Sequence, residues 1–200
     1  MHYIFPIVEG HGEVTAVPEI IRRISFEREY PISCSVLTPY RLPRGKITQF
    51  GDVLDNVIRF GEAKIRSADG IGGVLVIIDS DDDCPLSLYS RFVSFKNKRT
   101  FLVPVSFVSP KMEYEAWFIS CAEHMRTHKT VRDDAESHPN PENVRDAKGY
   151  FNREILIDSV NYSETVDQVK YSSILDINCV YNKCRSFRKI CKEIDEILSL

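Results

Sequence analysis

The stretch GGVLVIIDSDDDCP, residues 72–85, joins a run of branched apolar residues to four aspartates within five positions. A continuous apolar run bounded by glycines is typical of a strand that is buried on both faces in a parallel sheet. The carboxylates of Asp79, Asp81, Asp82 and Asp83 repel one another, and no basic residue stands beside them in the sequence. The stretch is therefore either a solvated turn or a place where a strongly positive group binds.

Strand-like and helix-like segments alternate on both sides of this stretch. Short apolar runs predict strands, and apolar residues at helical spacing predict the helices between them. The predicted order is strand 3–8, helix from 14 onward, strand 33–40, helix 49–68, strand 74–79, helix 86–96, strand 101–108 and helix 111–125. This alternation predicts an α/β fold with a mostly parallel sheet covered by helices on both faces.

The composition changes after the last predicted helix. We expect an α/β domain over residues 1–126, followed by a polar stretch, 127–146, which contains two prolines and few apolar residues. Such a stretch is typical of a loop or a partly disordered linker. Residues 147–200 are predicted to form a small helical C-terminal segment that packs on the core.

The bulk properties narrow the class of protein. The chain has 200 residues, 43% of them hydrophobic, and a formal net charge of −3. A negative balance argues against a strongly basic nucleic-acid binder, but allows an enzyme that meets phosphate through metal and a few local bases. No apolar run approaches the roughly 18 residues of a membrane helix, and the N-terminus lacks signal-peptide features. We therefore expect a cytoplasmic protein without membrane contact, whose six cysteines are reduced.

One group of thiol and imidazole side chains has the spacing of a metal site. Cys121, His124 and His128 would share one face of a helix. They form either a zinc site or a pair of surface histidines beside a half-buried thiol, since this spacing also arises by chance.

Acidic residues end two of the predicted strands. Glu9 follows the first strand, and Asp79 follows the strand 74–79. Ligands of open α/β sheets bind just past the carboxyl ends of the strands, so Glu9 and Asp79 face one crevice if these strands are neighbours. Asp81 points the same way as Asp79, because alternate residues of a strand share a face. Hard oxygen ligands suit Mg²⁺ or Mn²⁺, and we therefore predict a metal site formed by Glu9, Asp79 and Asp81.

Two further acids are candidates for the same crevice. Asp83 extends the aspartate run and could help bind a second ion. Glu115, in the segment EYEAWF, could reach the crevice from the beginning of the helix after strand 101–108. The alternative for Glu115 is a surface position beside Trp117 in the core.

A glycine turn and several basic residues are candidates for phosphate contacts. Gly10 and Gly12 would let the backbone approach phosphate, and the following helix N-terminus adds a favourable dipole. His11 lies between them and could donate to a phosphate or shuttle a proton; the alternative is an exposed turn histidine. Lys111 and the basic loop 41–46 could add positive charge near the crevice.

Two other functional motifs are excluded by the residues present. In a calcium-binding EF-hand loop, the sixth position requires glycine and the twelfth requires glutamate. Cys84 and Ser90 stand at those positions. The chain also has no GK[ST] phosphate loop.

The order of these acidic motifs resembles that of the TOPRIM domain, which has a glutamate after its first strand and a DxD motif after a later one. That family includes topoisomerases, primases and the OLD-family nucleases. The segments PIVEGHGEVTAVPEIIRRI, VIIDSDDDCP, EYEAWF and RSFRKI are together similar to small bacterial TOPRIM-like proteins. Such proteins are often encoded beside an SMC- or ABC-like ATPase, in settings that suggest anti-phage defence.

The resemblance implies a TOPRIM-like, Rossmann-like fold and a metal-dependent nuclease. Glu9 would serve as general acid/base or metal ligand, and Asp79 and Asp81 would be the DxD ligands. The substrate would be a nucleic acid, DNA or RNA, and the reaction Mg²⁺- or Mn²⁺-dependent phosphodiester hydrolysis. The alternative is a non-catalytic or partner-activated subunit that docks the ATPase. Retention of Glu9, Asp79 and Asp81 at strand ends favours the enzyme, because unpaired buried carboxylates are costly.

Overall fold

A five-stranded parallel sheet forms the centre of the molecule, in a computed structural model that describes residues 1–28 and 34–199. The strand order is β2–β1–β4–β5, and the two-residue strand β3 also pairs with β1, beyond the end of β2. All of the pairings are parallel. The strands are β1 (His2–Val8), β2 (Cys34–Val36), β3 (Tyr40–Arg41), β4 (Ile71–Ile77) and β5 (Val105–Val108).

Helices cover both faces of this sheet, as the alternating pattern predicts. They are α1 (Glu13–Glu27), α2 (Arg44–Ile47), α3 (Asp52–Ser67), α4 (Pro85–Lys96), α5 (Ala116–Ser120), α6 (Ala147–Tyr150), α7 (Glu164–Ile174), α8 (Ile177–Lys183) and α9 (Arg185–Leu198), with 3₁₀ turns at Ala122–Met125 and Pro141–Asn143 and a π turn at Phe151–Ile155. Apolar residues of α3 and α4 form the core on one face. Residues of α1, α5, α7, α8 and α9 form the larger core on the other. The predicted α/β class is confirmed.

The carboxyl ends of β1 and β4 lie side by side. From β1 the chain first adds β2 and β3 on one side and then returns to place β4 on the other side. The two strands pair along their whole length, from His2 opposite Ile71 to Val8 opposite Ile77. The segments after Val8 and Ile77 therefore leave the sheet at its topological switch point, where open α/β sheets bind ligands.

Pro6 is tolerated in a central strand, although proline within a strand usually lies at a sheet edge or at the start of the strand. The carbonyls of Ile4 and Val8 accept from the N–H groups of Leu37 and Leu42. Because alternate residues of a strand share a side, the Pro6 nitrogen points to that same side. It falls between β2 and β3, where β1 has no strand partner in the described part of the chain. No ladder hydrogen bond is lost there.

The C-terminal helices are part of the main core. The Trp117 indole N–H donates to the Ser186 hydroxyl over 2.8 Å, and the Trp117 and Phe187 rings meet edge to face at 5.1 Å. These contacts join α9 to α5. The polar stretch 127–146 lies against the same core through Val131 and Ala135, which are 3% and 2% exposed.

The helix predicted over 111–125 is much shorter in the structure. Only α5 and the 3₁₀ turn that follows are helical, because Cys121 takes an extended φ of −137° between them. Cys121 is joined to Cys179 by a disulfide, which contradicts the expectation that all six cysteines are reduced. Within residues 1–28 and 34–199, no helix combines the length and the apolar character needed to cross a membrane.

Gly61 lets α3 approach β1 closely, and this contact can be tested. A Cβ at Gly61 would lie 2.3 Å from Cδ1 of the buried Phe5 ring, whereas a Cβ at the exposed helical residue Gly45 would meet nothing within 4 Å. We expect Gly61→Ala to lower the free energy of unfolding by about 1–3 kcal/mol through overpacking. Gly45→Ala should leave it unchanged or raise it by up to about 1 kcal/mol through helix propensity. Urea unfolding measures both, and equal effects would contradict the packing of α3 on Phe5.

Candidate metal centre

An acidic cleft of about 230 Å³ opens past the carboxyl ends of β1 and β4. Seven carboxylates and a single lysine line it. The lining residues are Glu9, Gly10, Gly12, Glu13, Asp79, Asp81, Glu113, Glu115, Lys148, Glu164 and Gln168. The structure thus brings together Glu9, Asp79, Asp81 and Glu115, which the sequence predicts for one crevice.

Backbone pairing beyond the strands positions the aspartates. After β4 and β5 end, Ser80 N–H still donates to the Pro110 carbonyl, and Asp81 N–H donates to the Met112 carbonyl. The Met112 N–H in turn donates to the Ser80 hydroxyl over 2.9 Å. Asp81 and Met112 both have left-handed φ, 48° and 64°, a conformation that is uncommon for residues other than glycine. This pairing holds Asp79 and Asp81 opposite the segment that carries the cleft glutamates.

Two carboxylate oxygens in the cleft lack hydrogen-bond partners. Oδ1 of Asp79 and Oε2 of Glu9 are buried, and neither accepts a hydrogen bond from any described residue. Burial raises the pKa of Asp79 well above its usual range, and the charges of Glu13 and Glu115 raise it further. Burial also raises the pKa of Glu9, although Arg44, with Nη1 3.6 Å from Glu9 Oε2, opposes this shift.

Glu13 is the most enclosed acid of the cleft that sequence reasoning missed. Its side chain is 4% exposed at the first position of α1, and Oε2 accepts from the backbone N–H groups of Glu9 and Gly10 at 2.9 and 2.7 Å. Burial raises its pKa to about 7, despite these two hydrogen bonds. A signal was present, since Glu13 is the second glutamate of VEGHGE and an acid in a first helical turn is favoured by the dipole.

Glu115 lies at the back of the cleft in a hydrogen-bonded network. Its Oε1 accepts from the Tyr162 hydroxyl over 2.6 Å and from Gln168 Nε2 over 3.3 Å. The side chain is 3% exposed, and burial raises its pKa to about 7. Glu115 therefore faces the cleft, the first of the two predicted positions, and does not lie at the surface.

The mouth of the cleft is framed by residues from the C-terminal half. The Lys148 ammonium pairs with Glu164, and the Lys148 backbone N–H donates to Glu113 Oε2 over 2.9 Å. Gly12 lies against this side, because a Cβ there would come within 2.4 Å of the Glu164 carbonyl oxygen. Gly12 thus permits the close approach of α1 and α7, a role different from the predicted approach to phosphate.

Arg44 is a positively charged neighbour of the aspartate run, although it lies far from that run in the sequence. The residue opens α2, within the stretch predicted as a basic loop. Its guanidinium lies 2.7 Å from Asp83 Oδ2 and 3.4 Å from Asp81 Oδ2, and it also donates to the Asp79 and Ser80 carbonyls. Together with its contact to Glu9, Arg44 links both sides of the switch point from outside the cleft lining.

Several predicted site residues lie outside the cleft lining. His11 is exposed in the turn before α1, and Asp83 faces Arg44. The ammonium of Lys111 contacts the side-chain oxygen of Asn143. Asp82 pairs with Arg145 over 3.0 Å. Gly10 lines the cleft, as predicted for a residue near the bound group.

The histidines predicted to share a helix with Cys121 are separated. His128 Nδ1 lies 2.7 Å from the Thr130 hydroxyl, whereas His124 faces Cys179 of α8. Potential ligand atoms of Glu123, His124 and Cys179 lie within 4.8 Å of one another. Among residues 1–28 and 34–199, no three carboxylates of the cleft are gathered to that distance.

Comparison with known proteins places this architecture in a family. The sequence model described as "Domain of unknown function (DUF4276)" matches residues 8–195. The chain belongs to the DUF4276 family. The match extends from the end of β1 into α9, so it includes all residues that line the cleft. No curated protein and no solved structure matches this DUF4276 chain.

The chemistry of the DUF4276 cleft suits a divalent cation. Carboxylate oxygens are the ligands that Mg²⁺ and Mn²⁺ prefer, and a cation would satisfy the buried oxygens of Glu9 and Asp79. It would also remove the repulsion that raises the pKa of Asp79. Because the carboxylates stand further apart than ligands of one ion, binding would draw them together.

The buried glutamates predict how the stability of the metal-free protein depends on pH. The pKa values of Glu13 and Glu115 rise from 4.5 to about 7 on folding, so the folded state favours their protonated forms. Their contribution to stability is complete below pH about 4.5 and is lost as the pH rises through 7. We expect the free energy of unfolding in a chelator to fall between pH 5 and pH 8, on the order of 3 kcal/mol for each glutamate.

Urea unfolding at several pH values measures this dependence. Glu115→Gln should flatten the curve and stabilise the protein at pH 8, since it keeps a side-chain oxygen for Tyr162 without the charge. The exposed Glu136, outside the cleft lining, provides the matched control Glu136→Gln. A wild-type stability that rises from pH 5 to pH 8 would contradict the raised pKa values.

Proposed function

We propose that this DUF4276 protein binds Mg²⁺ or Mn²⁺ in its acidic cleft and hydrolyses phosphodiester bonds of nucleic acid. One observation carries the proposal. Glu9 Oε2 and Asp79 Oδ1 are buried without hydrogen-bond partners among the described residues, on adjacent strand ends of the same cleft, and Glu9 Oε2 has the Arg44 guanidinium 3.6 Å away. Buried polar atoms are nearly always satisfied, and an unsatisfied pair of carboxylate oxygens indicates a ligand that completes them.

The proposed metal ligands are Glu9, Asp79 and Asp81, which line the cleft together. A divalent cation bound there would polarise a phosphate and lower the pKa of an attacking water. Glu13 and Glu115 have pKa values of about 7, so either can accept or release a proton at neutral pH. Tyr162 and Gln168 orient Glu115 through its Oε1.

The rim of the cleft supports a phosphate-containing substrate. Arg44 contacts Glu9 and Asp81, Arg41 reaches the Glu9 carbonyl at 3.4 Å, and Lys148 lines the mouth. A bound divalent cation would reduce the negative charge of the cleft, and these positive groups could then contact the phosphates of a polyanion. The TOPRIM resemblance favours DNA or RNA as this polyanion. The same resemblance extends the proposal to a cytoplasmic effector of bacterial anti-phage defence.

Replacing Asp79 tests the metal centre and the activity together. We expect Asp79→Asn to weaken Mn²⁺ binding at least 100-fold and to abolish metal-dependent cleavage of DNA and RNA, because it removes a ligand charge. It should also raise the melting temperature of the metal-free protein, since the buried repulsion with Glu13 and Glu115 disappears. Isothermal titration with Mn²⁺, nuclease assays and thermal melts measure these effects.

Asp82→Asn is the matched control, because Asp82 belongs to the same acidic run but pairs with Arg145 outside the cleft lining. It should leave Mn²⁺ affinity and cleavage within about threefold of wild type. The proposal fails if Mn²⁺ binds Asp79→Asn as tightly as wild type. It also fails if metal-loaded wild type cleaves neither DNA nor RNA, with or without the ATPase partner.

Arg44 favours a second candidate, a subunit that a partner activates. Its guanidinium holds Glu9, Asp81 and Asp83 at once, and so places a cation beside the proposed metal ligands. A protein that binds α2 could withdraw Arg44 and free these carboxylates for metal. An SMC- or ABC-like ATPase is the partner that the resemblance implies.

Arg44→Gln distinguishes the two candidates. A positive charge about 5 Å from a cation costs a few kcal/mol at an effective dielectric constant of about 20, so its removal should tighten Mn²⁺ binding tenfold or more. Arg91→Gln is the control, because Arg91 bonds the Thr48 carbonyl outside the cleft lining. If the isolated Arg44→Gln protein also gains cleavage activity, Arg44 restrains the enzyme. If Mn²⁺ affinity falls instead, Arg44 positions the ligands.

A further inference from the structure

A second group of metal-ligand atoms lies apart from the cleft, where the 3₁₀ turn Ala122–Met125 meets α8. Ligand atoms of Glu123, His124 and Cys179 lie within 4.8 Å of one another, and Cys179 is bonded to Cys121. We propose that the reduced protein binds one Zn²⁺ through Cys121, Cys179, His124 and Glu123. The disulfide is the oxidised form of the same site.

The two sulfur atoms converge on one point from different parts of the chain. Cys121 follows α5, Cys179 belongs to α8, and their Cα atoms are 6.2 Å apart. The Cys179 sulfur lies near the imidazole and the carboxylate, and after reduction a rotation of the Cys121 side chain would bring the second thiol to the same ion. Two sulfurs, one nitrogen and one oxygen form a four-coordinate set of the kind that Zn²⁺ takes at structural sites.

The histidine is already oriented as a zinc ligand. His124 Nδ1 lies 2.9 Å from Asp176 Oδ2, which leaves Nε2 to bind a metal. A carboxylate that holds the second ring nitrogen is the usual partner of a zinc-binding histidine. Asp176 also caps α8, because its Oδ1 accepts from the Cys179 N–H over 2.7 Å. One carboxylate therefore positions both a nitrogen and a sulfur ligand.

One oxygen of the Glu123 carboxylate is held by a hydrogen bond, and the partner of the other oxygen can be replaced by a metal. Glu123 Oε2 accepts from the Ser137 N–H over 3.0 Å, which fixes the side chain. Its Oε1 lies 3.1 Å from the ammonium of Lys183, a partly exposed side chain. Zn²⁺ would replace that ammonium, and Lys183 would move into solvent.

The chemistry of the exchange balances with an external thiol reductant. Two thiols reduce the Cys121–Cys179 disulfide by two electrons, leaving two protein thiols and one external disulfide. Binding of Zn²⁺ then releases the two thiol protons, because the ligands are thiolates. Either state joins the end of α5 to α8 across 58 residues of sequence, so the same contact persists in reducing and oxidising conditions.

Titration of the oxidised and reduced protein with Co²⁺ and Zn²⁺ tests the site. A thiol count identifies the two states, since the oxidised form keeps four free cysteines and the reduced form has six. We expect the reduced protein to develop a thiolate-to-metal charge-transfer band with Co²⁺, which the carboxylate-lined cleft cannot give, and Zn²⁺ to remove that band. The oxidised protein should show no such band.

Substitutions of Cys179 and His124 test two of the ligands, and a substitution of Asp176 tests the residue that orients His124. Cys179→Ser should lower Zn²⁺ affinity at least 100-fold, and His124→Ala at least tenfold. Asp176→Asn should lower it 10- to 100-fold through the orientation of His124. The partly exposed His124 can be replaced without opening the core, so circular dichroism should show a folded His124→Ala protein.

Two controls separate this site from others on the chain. Cys84→Ser removes an exposed free thiol, and Asp79→Asn removes a carboxylate of the cleft. Both should keep the Co²⁺ charge-transfer band of wild type and its displacement by Zn²⁺, because neither substitution removes a residue of this second site. The proposal is overturned if reduced wild type and Cys179→Ser give the same Co²⁺ band, or if the band of His124→Ala forms at the same Co²⁺ concentration as in wild type. Loss of zinc in Asp79→Asn alone would move the ion to the cleft and leave the proposed function intact.

Discussion

Repulsion among the seven carboxylates of the cleft is the constraint to which much of the structure responds. These acids gather at the switch point of a parallel sheet, where burial makes each charge more costly than at the surface. Each enclosed acid that has a partner takes it from a different element. Backbone N–H groups of the β1–α1 turn bond Glu13, Tyr162 and Gln168 bond Glu115, and Arg44 faces the aspartate run. The elements around the sheet are thereby tied to its carboxyl edge.

The cleft carboxylates differ in how completely they are hydrogen-bonded, and the difference indicates where a ligand would bind. The side chains of Glu13 and Glu115 accept two hydrogen bonds each, and they are the least exposed carboxylates of the cleft. Glu9 and Asp79, on the two adjacent strand ends, keep an oxygen without one among the described residues. A fold selected for stability alone would replace such groups, since most violations of polar satisfaction lie at functional or strained sites. The left-handed backbone of Asp81 and Met112 marks the same place as strained.

The sequence contains enough information for the sheet and for part of the site. Apolar runs that end in acids locate β1 and β4, and the switch-point rule brings Glu9, Asp79 and Asp81 to one crevice. The spacing of apolar residues, however, predicts only local structure and not contacts between residues that are distant in the sequence. Arg44 reaches the aspartates from the start of α2, and Gln168 reaches Glu115 across 53 positions. Cys179, the disulfide partner of Cys121, could not be predicted for the same reason, because helical spacing around Cys121 describes a single helix that the structure breaks at that residue.

The C-terminal segment contributes directly to the cleft. The sheet and its following turns provide the floor, but Lys148, Glu164 and Gln168 complete the wall and mouth. Gly12 allows α7 to lie against the start of α1, so the backbone beside Glu13 and the carbonyl of Glu164 are in contact. A larger residue at that point would collide with the Glu164 backbone and separate the two halves of the cleft. The family match over residues 8–195 fits this arrangement, because neither half of the chain encloses Glu115 alone.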